Sequence, residues 1–154
     1  MEYIISREFP SWENYSLLGY AFLKQNDPAE ALNYFGKALQ LYPTNAYLYL
    51  NIATSLNTMG HHSKANWFLR RSHQMSPDNI IPLFCLINNE LMSGNAVMLH
   101  RDTSNLLKRF SIDQIEAGLL RFSRETLLPS VSTEALKSLI SENLKLRADA
   151  LSGY

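Results

Sequence analysis

"NDPAEALNYFGKALQLYPTN", residues 26–45, contains a proline, Pro43, whose counterpart Pro77 lies thirty-four positions later. Self-similarity at a fixed period of this length is the mark of a repeat architecture. Registers starting at Trp12, Ala46 and Ile80 test it. In the first, Tyr15, Leu18, Gly19, Phe22, Ala31, Phe35, Ala38 and Pro43 stand at set places. In the second, Tyr49, Ile52, Ala53, Leu56, Ala65, Leu69, Ser72 and Pro77 fall at the same places. Apolar residues three and four apart put a stripe on each of two helices per register. Gly19 and Ala31 are small where two helices would cross closely, with Phe22 and Phe35 filling the space beside them. Asp27-Pro28-Ala29-Glu30 reads as a helix start, with Asp27 as N-cap, Pro28 in the first turn and Glu30 closing a capping box. Asn26, Gly60 and Gly94 share the turn between paired helices, where a left-handed backbone is expected. Pro43 and Pro77 stop the second helix of each pair. The period is therefore the length of one helix–turn–helix unit.

The third register is degenerate. Leu83, Leu86 and Ile87 keep its first helix, but Glu90 replaces an aromatic, Leu99 a small residue, Thr103 a large one and Ser111 the proline. Helices are expected at about 79–93 and 95–110 with altered packing. Ser111 and Gln114 form a capping box that opens a helix to about Glu125, and another is expected from near Ser132, past Pro129, to about Leu151. Leu119, Leu120, Phe122, Leu136, Leu139, Ile140 and Leu144 are expected to cover the open end of the core.

The residues at the fixed places resemble the tetratricopeptide repeat (TPR), strongly over 12–77, weakly over 80–110 and not at all over 111–154. The resemblance implies an all-α fold: a right-handed α-α superhelix, or TPR solenoid, with extra C-terminal capping helices. The expected organisation is one domain. In it 1–11 are the remnant of a preceding helix, 12–45 and 46–79 are repeats, 80–110 a degenerate repeat, and 111–154 the cap. In that family the first helix of each unit lines a concave groove that holds a partner. The corresponding residues here are Glu13, Ser16, Tyr20 and Lys24, then Tyr47, Leu50, Asn51, Thr54 and Asn57, then Ile81, Phe84 and Asn88. Amides that satisfy backbone groups and aromatics that supply contact area suit a peptide, a helix or a partner domain. Against this stands the plainer reading, that Tyr47, Ile81 and Phe84 pack on the C-terminal helices. Chaperone-binding members grip a carboxylate with lysine, arginine and asparagine. The matching positions here hold Ser16, Tyr20, Asn51, Ile81 and Cys85, so only Asn51 agrees and that clamp is excluded.

Lys plus Arg equals Asp plus Glu at 14 each, so the basic excess of a nucleic-acid binder is missing. The lone Cys85 allows no intrachain disulfide and reads as a small hydrophobe on a helix. No stretch reaches the roughly 20 apolar residues of a membrane span, so no membrane insertion of this segment is expected. His61-His62, His73 and His100 lack metal-ligand spacing, and no phosphate loop or nucleophile elbow appears, so no cofactor, metal or catalytic residue is expected. Arg70-Arg71 and Lys108-Arg109 read as helix C-terminal pairs that complement the dipole. Trp67 is either half-buried or an exposed second contact surface.

The expected function is a non-catalytic protein–protein interaction scaffold. The alternative is the soluble tail of a membrane-bound bacterial glycan polymerase or O-antigen ligase, some of which look similar in ending with degenerate TPRs. The opening "YIISREFP" resembles the tail of another unit's second helix, as in a segment of a longer protein. A free-standing chain would be cytoplasmic, and a segment of an envelope enzyme would be membrane-tethered. An exposed stacking face would also favour self-association.

Overall fold

The computed structural model describes residues 10–125 and 133–153. The expected remnant of an earlier helix, apart from Pro10 and Ser11, and the break at Pro129 lie outside the described residues. Eight helices are described: α1 (Trp12–Lys24), α2 (Pro28–Leu41), α3 (Ala46–Thr58), α4 (His62–Met75), α5 (Ile81–Ser93), α6 (Ala96–Arg109), α7 (Ile112–Glu125) and α8 (Thr133–Ser152). Among the described residues there is no strand. The first six pack in sequence as α1–α2, α3–α4 and α5–α6 hairpins, each also touching the next, consistent with a TPR-type α-α superhelix.

Local chemistry sets the hairpins. Asn26, Gly60 and Gly94 have φ of 59°, 80° and 70°, the left-handed region in which Gly is free and Asn tolerated. Each turn then closes by the same pair of backbone bonds. Asn26 N–H donates to Leu23 and Asp27 N–H to Phe22; Gly60 to Asn57 and His61 to Leu56; Gly94 to Leu91 and Asn95 to Glu90. This is the double bond of a Schellman turn, and it satisfies carbonyls that the helix end would orphan. Asp27 caps α2 by accepting from Glu30 N at 3.2 Å. Glu30 does not complete the box, because the Asp27 N–H it would need already donates to Phe22; its carboxylate accepts from Asn33 Nδ2 at 3.5 Å. Ser111 and Gln114 do form the reciprocal box, at 2.9 and 3.3 Å.

The core runs unbroken through all three hairpins into α7 and α8. Within the first pair the helices meet at Gly19 and Phe35. A Cβ on Gly19 would sit 2.7 Å from the Phe35 ring, which is itself fully buried. Ala31, Ala38, Ala53 and Ala65 are fully buried at the matching crossings. Ser72 takes the place of Ala38 in the second unit and donates its hydroxyl to the Ala46 carbonyl at 2.8 Å, tying α4 to the start of α3. At the C-terminal end Phe122, Ile115, Leu136 and Ile140 are buried as a cap requires, whereas Leu120, expected among them, is 54% exposed. Trp67 is 60% exposed, edge-on to Phe68 with centroids 4.9 Å apart. No described helix is long and apolar enough to cross a membrane.

The third unit is joined to the second by a buried polar network. Arg70 does not serve a helix end. Its guanidinium grips Asp102 through two hydrogen bonds of 3.1 and 3.0 Å and reaches Glu90 at 3.4 Å. Glu90, the residue that breaks the repeat pattern, is thus held by α4 at the place that Phe22 and Leu56 take in the first two units.

Two glycine substitutions separate crossing from propensity. Gly19→Ala should destabilise by about 1–3 kcal/mol, since the buried Phe35 has nowhere to go. Gly36→Ala, within α2 where an added Cβ meets nothing within 4 Å, should stabilise by about 0.5–1 kcal/mol. Ala31→Leu and Ala65→Leu should destabilise like Gly19→Ala, by about 1–3 kcal/mol or more. Urea unfolding followed by circular dichroism reads each sign; a Gly19→Ala midpoint at or above wild type would mean the crossing is not close.

Candidate partner-binding cleft

The first helix of each hairpin contributes to one face, and a cleft of about 340 Å³ opens on it. Ser16, Tyr20 and Leu23 come from α1, and Tyr47, Leu50, Asn51 and Thr54 from α3. Asn79, Ile81 and Cys85 come from the start of the third unit, and Arg121 and Phe122 from α7. Tyr20 is 40% and Tyr47 60% exposed, so both present ring area to solvent at the cleft. Leu50 and Ile81 are half-buried and supply apolar walls. Asn51 offers an amide between them, while Thr54 directs its hydroxyl donor to the Leu50 carbonyl at 3.0 Å.

Of the twelve residues anticipated for the groove, Ser16, Tyr20, Tyr47, Leu50, Asn51, Thr54 and Ile81 come together here. Glu13 and Lys24 are exposed on α1 outside the cleft lining, Lys24 with its ammonium 5.8 Å from the Tyr20 ring centre. Asn57, Phe84 and Asn88 are buried. Asn57 accepts from Asn89 Nδ2 at 2.9 Å and lies 3.1 Å from His62 Nδ1. Asn88 donates to the Met92 sulfur at 3.6 Å. Phe84 is covered by Phe122, with ring centroids 5.6 Å apart.

That last contact explains the shape of the site. Gly118 lets α7 settle onto α5, for a Cβ there would lie 2.9 Å from Ile80 and 3.0 Å from Phe84. α7 therefore covers part of the third unit's share of the face, leaving Ile81 and Cys85, and closes one end of the cleft with Phe122. Asn79, Arg121 and Phe122 join the site by this route. The amphipathic pattern of 112–125 marks a face to bury without saying on which helix.

The lining carries a single charged side chain, Arg121, and no carboxylate or imidazole. Burial pushes the Cys85 thiol up to about 12, so while it is buried it stays protonated at neutral pH. Among the described residues no group of three or more His, Cys, Asp or Glu is placed to hold a metal ion. The arrangement offers apolar and aromatic contact area with a few hydrogen-bonding groups, the composition of a recognition surface.

The tetratricopeptide repeat family model matches residues 12–45. No curated protein matches the chain. Repeats of this family generally mediate protein–protein interactions and are typically non-catalytic. The match covers the length of one repeat, and the eight described helices are consistent with a tetratricopeptide-repeat protein.

Proposed function

We propose that the chain is a non-catalytic scaffold that holds a segment of another polypeptide in the cleft between α1, α3, α5 and α7. The observation that carries this is the pair of tyrosines, Tyr20 and Tyr47, exposed at one concave site beside the apolar walls of Leu50 and Ile81. Aromatic rings at the mouth of a pocket are the usual energetic anchors of an interface. The closed end at Phe122 favours a short anchor, one or two side chains deep, over a long helix laid along all three units. A chain with no net charge and a near-neutral lining does not attract a phosphate backbone, so the partner is protein and not nucleic acid.

Substituting Phe84 would test folding and not contact, because it is buried. The informative variant is Tyr20→Ala with Tyr47→Ala. Affinity capture from the native host should lose its specific protein band, since two such anchors typically contribute about 2 kcal/mol each, or roughly thirtyfold per residue. Helicity and melting temperature should be unchanged. Undiminished capture by the folded double variant would show that the cleft is not the contact surface.

A further inference from the structure

The network between the second and third hairpins gathers charged and titratable groups from α4, α5 and α6. Glu90 and Asp102 are 4% and 1% exposed, and the guanidinium of Arg70 lies between them. Asn66 on α4 donates to Glu90 at 3.1 Å and accepts from Asn89 at 2.7 Å, and Asn89 also reaches Asn57 on α3. Arg101 adds a bond from Nε to Asp102 at 3.3 Å. His73, on α4, shares an open pocket of about 350 Å³ with Arg70, Arg101 and Asp102, floored by Leu83 and Leu86, and its Nδ1 is buried without a hydrogen-bond partner. The network thus ties α4 to α5 and α6 and reaches α3. Through Asn89 and Asn57 it joins α5 to α3, and both helices contribute side chains to the cleft.

We propose that the Arg70–Glu90–Asp102 cluster, with His73 beside it, is a pH-responsive joint that sets how firmly the third hairpin closes on the second. The charged groups facing Glu90 are Arg70 from α4 and Asp102 and Arg101 from α6; those facing His73 are Arg109 and Asp102 from α6 and Arg70 from its own helix. Burial pushes the Glu90 carboxyl above the usual carboxylate range; Arg70 opposes this, and the Asp102 charge adds to it. Burial, followed by the charge of Arg109, pushes His73 below the usual imidazole range; Asp102 opposes this, and Arg70 adds to it. The two groups act with opposite sign. A carboxyl raised in the closed state holds its proton more tightly there. Its contribution is present below about 4.3, the open-state value, and is lost as pH rises through the raised one. An imidazole lowered in the closed state resists protonation there. Its contribution is present above about 6.5 and is lost as pH falls through the lowered value. The joint is weakened from both sides.

Cys85 is the chain's only thiol, lies at the cleft wall on α5 and is 2% exposed, so its labelling rate reports opening. The test measures labelling by an aromatic disulfide from about pH 5 to about pH 8. Wild type is divided by each variant at the same pH, so that thiol ionisation cancels. The wild-type to Glu90→Gln rate ratio should rise with pH, by at most about tenfold per unit for one proton. The ratio to His73→Gln, a variant that leaves every ion pair in place, should rise as pH falls. Hydrogen exchange should show the change in α5 and α6 amides and not in α1 and α2. Ratios that are flat with pH would overturn the joint, as would equal changes in α1 and α2, which mark global stability instead. The His73→Gln arm decides the matter alone should Glu90→Gln fail to fold.

Discussion

The close approach of two helices within each hairpin is the constraint on which everything else rests. Gly19 lies against a fully buried Phe35 with no room for a methyl group, and alanines occupy the corresponding crossings of the second unit. Small residues at these points let the helices pack side by side, and large ones beside them fill the remaining space to interior density. Once the paired helices are that close, the turn must be short and left-handed, and the next hairpin has one stripe left on which to stack. A face built mainly of first helices follows from that stacking. The cleft is a by-product of tight pairing.

The third unit shows what happens when the pattern is relaxed. With Glu90 where an aromatic would go, the interface with the second unit cannot be sealed by apolar contact alone. Arg70 and three asparagines complete it with hydrogen bonds. Buried ionic groups of this kind contribute little net stability but require one arrangement of the surrounding helices. α7 and α8 then cover what the third unit would otherwise leave open, and α7 reaches round onto α5 to end the cleft. The joint and the end wall therefore act on the same helix, α5.

Much of the fold was legible because it is written in local chemistry. The positions of Asn26, Gly60 and Gly94, the cap at Asp27 and the box at Ser111 and Gln114 each depend on residues within one turn. Features that depend on meetings through space were not legible. Arg70 and Glu90 are twenty residues apart, and Arg70 read as a helix-end charge until its carboxylates were placed. Glu30 matched a capping signature whose donor was already used by the turn before it. Phe84 was placed in the groove by its register and removed from it by Phe122, which no repeat pattern locates. The seven anticipated residues that do line the cleft all come from the first helices α1, α3 and α5.

A photocrosslinking amino acid placed at Tyr47, at Trp67 and at Asn33, with irradiation in the native host, would show which surface meets another polypeptide. Position 47 sits in the cleft, 67 on an exposed aromatic patch outside it, and 33 on an exposed turn of α2. A discrete adduct from position 47, absent at 33, is the result expected of a scaffold that holds its partner in the cleft. An adduct from position 67 with none from 47 would contradict it and move the contact to the outer surface.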